Sequence, residues 1–415
     1  MENLPHLCTI CLNRFFHKRT FVAKNHCKKF LIILFLLFFA CNNPSRNDDI
    51  SIEDWSIFRG DSALSAYADL SLPHNPVLLW SFKSDSYTKS SPVVYQQITY
   101  WSNRRGRIFG VNIEGKQIFD YAMESAVDAT PMVYDSVIYI GRIDGKLCAI
   151  SLEKQDTLWT FETWGQIVAS PNRLCINDKE AIVVGSYDNY LYIIDSKDGK
   201  EINRFESGYY INGAVAQHNN YVAYGGCDGW FRIIHSLSGI QTDSLDLEIY
   251  IPASPAIYKD WCYIADHSGN VYEMNIDKGK IVSSKKIIES KDRNSALVSV
   301  PAVSDKMVYV VSDDRNIYAL NRKEGSVAWK YLLKGNTGES SPVICKNKLL
   351  ACTKTGIVSI HDAKTGNLLW EYDTGEQIIA SPAVISSYFF ILTAKGTLFC
   401  FGCPSQQHND LKLNN

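Results

Sequence analysis

The chain has 415 residues, of which 46% are hydrophobic, 21% charged and 12% aromatic, a globular composition with material for a large core. Its 23 tyrosines and 9 tryptophans suit β-structure. Without the first 40 residues, 36 Lys and Arg stand against 43 Asp and Glu, a net charge of −7. That balance argues against a nucleic-acid partner, which requires a basic face.

In chain order, a basic stretch (Lys18, Arg19, Lys24, Lys28, Lys29) precedes the apolar run FLIILFLLFFA ending at Ala40. Eleven apolar residues are too few for a stable bilayer-spanning helix and fit the core of a secretory signal. Ala40 directly before Cys41 resembles a bacterial lipobox, although Phe38 and Phe39 depart from its usual small and aliphatic residues. The resemblance implies that residues 1–40 are a lipoprotein-type signal peptide and that Cys41 is acylated. Asn42, where inner-membrane retention would use Asp, points to the outer membrane, with the protein lipid-anchored on its periplasmic side. The polar, aperiodic stretch 41–54 reads as a tether.

From about residue 78 to residue 402 one unit recurs. Ser-Pro-type signals place Pro92, Pro131, Pro171, Pro255, Pro301, Pro342 and Pro382 at intervals near 40 residues, with Gly213 filling the one double gap, so eight units are expected. In each, a short apolar strand follows the Pro, and a second and third strand flank a tight turn such as Asp144-Gly145, Asp188-Asn189 or Asp228-Gly229, all hairpin signals. A fourth strand carries Phe119, Trp159, Trp329 or Trp370, while units three to five have Asn203, Asp243 and Ser283 there. Four-stranded antiparallel units of this period are β-propeller blades. The last unit stops after three strands, and NPVLLWSFKSD at 75–85 matches the missing fourth, with Trp80 in the place of Trp370. The expectation is an all-β, eight-bladed propeller over 55–403, its last blade closed by an N-terminal strand. Residues 404–415 read as a polar tail.

The grammar G-x-x-D-G-x-L-x-A-I…D-x-x-x-G-x-x-x-W…S-P, with DWSIFRGDSALSAYAD at 54–69 ahead of it, resembles the pyrroloquinoline-quinone-type (PQQ-like) repeat propellers. That family takes in eight-bladed quinoprotein dehydrogenases and non-enzymatic lipoproteins of outer-membrane protein assembly. The alternatives are another small-ligand-binding propeller or a dehydrogenase, which implies a quinone stacked between a Trp and a disulfide of adjacent cysteines, with Ca²⁺ and a catalytic Asp. This chain has no two adjacent cysteines, and its blades are near minimal length except at 287–298. The resemblance therefore implies a scaffold that binds protein partners in the cell envelope, without catalytic residues, metal or cofactor.

Other patterns have bland explanations. Cys8-x-x-Cys11 with His17, His26 and Cys27 matches no standard zinc spacing and lies in the leader. Cys400-Phe-Gly-Cys403 ends a strand rather than opening a helix, so a local disulfide or two thiols is expected. Arg59-Gly60-Asp61 falls inside the 54–69 pattern, and His235, His267 and His361 form no catalytic arrangement. In a propeller, the turns between second and third strands share a face with the loops leading into each blade. There the sequence places Arg104, Arg105, Arg142, Tyr187, Trp230, His267 and Arg315, with Lys89, Asp128, Tyr210 and Glu339 three residues before the repeat Pro position. Arg, Trp and Tyr dominate protein interfaces, so this set is the expected partner-binding face.

Overall fold

The computed structural model describes residues 54–289 and 299–403. The expected signal peptide, Cys41, most of the tether and the C-terminal tail lie outside the described residues. Eight sheets form eight blades, spanning 93–122, 132–162, 172–206, 216–246, 256–288, 302–332, 343–373 and 383–402. Within each blade the second and third strands are almost wholly buried between neighbouring blades, as in Val137–Gly141 and Lys146–Ser151. Outer strands alternate, as Asp156–Glu162 does, because one side faces water. Blade 8 is completed by Val77–Lys83, which pairs antiparallel with Thr397–Gly402 and sets Trp80 opposite Cys400.

The outer-strand tryptophan explains the recurring spacing from turn glycine to Trp. It reaches across to the next blade, where its indole N–H donates to a turn carbonyl: Trp80 to Ile113 at 2.7 Å, Trp159 to Ser196 and Trp329 to Ala363 at 3.0 Å. The ring lies on the glycine of that same turn. A Cβ on Gly199 would stand 2.6 Å from Trp159, and one on Gly366 2.6 Å from Trp329, so the glycine is required by close approach as well as by its positive φ. Trp370, facing blade 8, packs edge-on against Phe389 and Phe401 instead.

Around the channel a second lock repeats. In six of the eight blades the residue before the Pro position gives its backbone N–H to the hydroxyl of the equivalent residue in the next blade: Ser91 to Thr130 at 2.8 Å, Thr130 to Ser170 at 3.3 Å, Ala214 to Ser254 at 2.8 Å, Val300 to Ser341 at 2.9 Å and Ser341 to Ser381 at 3.1 Å. Ser381 then donates to Ser91 at 2.9 Å and closes the ring. This pattern corrects the register of blade 4. Ala214 occupies the Ser position, so Val215, not Gly213, stands in place of the Pro, directly before the strand Ala216–His218. In blade 5, Lys285 rather than Ser283 occupies the tryptophan position, because two bulges lengthen the outer strand Lys280–Ile288; Lys285 faces Glu273 and pairs with it at 2.9 Å.

The segment 55–68 crosses the channel and bonds the first strands in ring order. Trp55 bridges Val94, Val133 donates to Ser56, Gln217 to Ser62, Ile257 to Ala63, Val303 to Ser65 and Ile344 to Ala66. Tyr67–Ala68 finally joins blade 7 as a parallel fifth strand. Arg59 lies at the centre, fully buried, and donates to the carbonyls of Leu64, Pro301 and Pro342 at 3.2, 3.1 (Pro342) and 2.5 Å (Pro301). Burial pulls its pKa down to about 9, partly offset by Asp61, whose carboxylate is occupied by the Ser65 N–H and hydroxyl. Arg59-Gly60-Asp61 is thus interior architecture and presents nothing to a receptor.

Candidate partner-binding face

The turns between second and third strands and the loops leading into each blade share one face. Backbone bonds tie them blade by blade: Arg104 N–H to Tyr87, Ile143 to Ala126, Tyr187 to Gln166, Cys227 to Tyr210, His267 to Tyr250 and Ala394 to Gln377. A cavity of about 350 Å³ opens at the centre of this face, floored by Phe58 and walled by the Ser and Thr residues of the inner ring.

The expected residues divide into two groups. Lys89, Arg104, Asp128, Tyr187 and Glu339 line the cavity. Arg104 grips Asp128 through two bonds of 2.6 Å, and Lys89 approaches the same carboxylate at 3.8 Å. Arg105 is exposed and pairs with Asp85 at 3.3 Å. Tyr210 does not belong with Lys89, Asp128 and Glu339: the corrected blade 4 register puts Asn212 at that rim position, where it accepts from the Tyr187 hydroxyl at 2.6 Å.

Arg142 differs from expectation. It is only 6% exposed, folded back onto Asp144 two residues along and paired with Glu124 at 3.4 Å, so its guanidinium is spent within its own turn region and offers little to a partner. Arg315 is exposed and holds the turn-glycine position of blade 6 at φ 66°. Trp230 begins the third strand of blade 4, opposite Asp246, and is 37% exposed.

Tyr187, Tyr210, Trp230 and His267 fall on an arc over blades 3 to 5 that also contains residues the sequence reading missed. Trp164 is 93% exposed, the most exposed large apolar side chain among the described residues, while its backbone N–H donates to Asp188 at 2.9 Å. Tyr187 stacks on Tyr210 with centroids 4.7 Å apart and planes 4° from parallel, and Tyr209 adds a third ring 4.3 Å from Tyr210. Tyr250 stacks on His267 at 4.1 Å. Each loop is pinned by a fully buried isoleucine just after its aromatic residues: Ile167, Ile211 and Ile251. These pack where a Cβ on Gly141, Gly185 or Gly225 would stand within about 2.3 Å of them, so the loop is fixed and the rings before it project outward.

The buried histidine His361 is a structural residue. Its Nε2 lies 2.9 Å from the Ser359 hydroxyl and its Nδ1 3.2 Å from the Gly366 carbonyl, and burial lowers its pKa to about 4. Cys400 is buried in the last strand of blade 8, where burial raises its thiol pKa well above the ordinary range.

The quinone with its Ca²⁺ does not fit the cavity. Calcium takes six to eight oxygen ligands. The cavity has the carboxylates of Asp128 and Glu339 on walls three blades apart, and Asp128 is already held by Arg104. No group of three metal-ligating acid, His or Cys residues occurs among the described residues, and no cysteine lines the cavity to stack on a quinone.

Comparison with known proteins separates fold from family. The outer membrane protein assembly factor BamB of Shewanella oneidensis is 21% identical over 280 residues, covering 63% of this chain and 67% of that protein. The crystal structure of BamB from Moraxella catarrhalis superposes with a TM-score of 0.66 at 18% identity, over 79% of this chain and 98% of that one. A europium-containing methanol dehydrogenase superposes with a TM-score of 0.72 at 12% identity, over 86% and 99%, so the architecture alone does not separate scaffold from enzyme. The family described as outer membrane protein assembly factor BamB matches residues 76–209 and 251–413, most of the chain, and the protein belongs to that family of PQQ-like repeat propellers.

Proposed function

We propose that this protein is a non-catalytic envelope scaffold, held to the outer membrane by lipid on Cys41, that captures a protein partner of the outer-membrane protein assembly machinery through the arc on blades 3 to 5. The arc carries the reading. Exposed tryptophan and tyrosine on rigid loops give large contact area with little ordering entropy, the composition of interface hot spots. Trp164, Tyr209, Tyr210, Trp230 and Tyr250 are all more than a third exposed on one face, on loops or, for Trp230, at the start of a strand, all fixed by backbone bonds. The family name of the relatives supports the assembly role, and the misfit of the cavity to a quinone with calcium speaks against the dehydrogenase alternative.

Trp164→Ala, Tyr209→Ala and Tyr250→Ala combined should reduce recovery of an outer-membrane assembly barrel with the tagged protein at least tenfold. That corresponds to a loss of about 1.4 kcal/mol, modest for a hot-spot cluster. The melting temperature should stay unchanged, since all three side chains project from loops pinned by other residues. Undiminished recovery would refute the reading.

A further inference from the structure

The central cavity has a donor balance that the partner-binding arc does not use. A hydroxyl has one proton to give and two lone pairs with which to accept. Ser91, Thr130, Ser170, Ser254, Ser341 and Ser381 each accept a backbone N–H from the neighbouring blade. Among the described residues, none of the six gives its own proton to a protein acceptor. Five of them, all but Ser170, are at least nine-tenths buried, and all six line the cavity. Buried hydroxyl donors require acceptors, so this wall is built for a group rich in oxygen lone pairs.

The charges are distributed unevenly around it. On the wall of blades 1 and 2, Lys89 and Arg104 share the single carboxylate of Asp128, leaving that side one positive charge in excess. Glu339 faces from blade 7, three blades from Asp128, without an ion pair among the described residues. The phenol of Tyr187 on the wall is neutral at physiological pH, and burial raises its pKa further. Beneath, the 55–68 segment closes the channel with Phe58 as floor, so the space is a blind cup rather than a conduit.

We propose that the cup binds a small oxyanion, a carboxylate or a phosphate, against the wall of blades 1 to 3. The Lys89 ammonium would supply the charge, and the hydroxyls of Ser91, Thr130 and Ser170 the short neutral donors. Charge-assisted bonds of this kind are about twice as strong as neutral ones, so Lys89 carries most of the affinity. The site adjoins the arc at Tyr187 but uses none of its exposed rings, and it does not depend on the identity of the protein partner.

The test is isothermal titration of the full-length protein in detergent at low ionic strength, with citrate and with inorganic phosphate as probes. The wild type should show saturable 1:1 binding of at least one. Lys89→Ala should weaken it about tenfold or more, consistent with loss of one charge-assisted contact. Glu339→Gln should tighten it a few-fold by removing the opposing charge. Both side chains are exposed and neither holds the ring together, so the variants test binding rather than folding. Preference for phosphate over citrate would assign a phosphate-bearing ligand, and the reverse a carboxylate. Absence of saturable binding of either anion, or binding that Lys89→Ala leaves unchanged, would overturn the proposal.

Discussion

The two halves of the ring are built differently. At the junctions from blade 6 round to blade 8 and on to blade 1, Trp329, Trp370 and Trp80 supply the outer locks, and Arg59 ties blades 6 and 7 together at the centre. From blade 3 to blade 6 the same position holds Asn203, Asp243 and Lys285. Asn203 reaches the Leu237 carbonyl at 3.4 Å, Asp243 accepts the Ile281 N–H at 2.9 Å, and Lys285 is turned to Glu273. The arc of exposed aromatics lies over blades 3 to 5. Large rings therefore serve as inter-blade clamps in one half and stand free on the face in the other, which suggests that blades 3 to 5 exchange stability for surface chemistry.

The largest expected effect is at the centre of the clamped half. Arg59→Ala would strand three buried carbonyls and remove a wholly internal cation, costing about 3–5 kcal/mol by chemical denaturation. An unchanged unfolding midpoint would show that the crossing segment does not hold blades 6 and 7 together.

Comparing one clamp from each half sharpens the contrast. Trp329→Ala should cost about 2–4 kcal/mol, from lost ring packing over Gly366 and the lost bond to Ala363. Asn203→Ala should cost less than about 1 kcal/mol, because its bond is long and half-exposed. Equal losses would erase the distinction. Amide hydrogen exchange should follow the same order, faster in the outer strands of blades 3 to 5 than in those of blades 6 and 7.

A pH titration probes the clamped half again, with an effect of similar or smaller size. His361 in blade 7 has a pKa of about 4 when folded and about 6.5 when unfolded. The unfolded chain thus binds the proton more readily, so this contribution is fully present above pH 6.5 and is lost as pH falls towards 4. It amounts to roughly 3 kcal/mol. His361→Gln should flatten the stability profile between those values; an identical slope would assign the acid sensitivity to other groups.

The propeller was legible because its punctuation is chemical. Turn glycines at positive φ, Ser-Pro before each first strand and Trp on the outer strand each answer a geometric demand repeated around the ring. Where a different residue meets the same demand the reading slipped. Val215 takes the Pro position in blade 4, and the nearby Gly213 drew the alignment two residues away, which also misassigned Tyr210 to the channel rim. Bulges in blade 5 moved the clamp from Ser283 to Lys285. Arg142 has the composition of an interface residue, yet Asp144 captures it, and capture two residues away leaves no periodic trace. Trp164, Tyr209 and Tyr250 were missed because they sit in loops, outside any strand period. Their signal was present as an aromatic residue placed one to three positions before the loop isoleucine, a pairing that separates the anchoring side chain from the displayed one.

The most direct test of the central claim is a photo-cross-linking scan in intact cells. A photoreactive phenylalanine analogue would be placed at Trp164, Tyr209 or Tyr250 on the arc, and at Ile202 or Val327 on outer strands as controls. The account predicts cross-links from the arc to an outer-membrane assembly component and none from the outer strands. Cross-links to that component from the outer strands, with none from the arc, would contradict it.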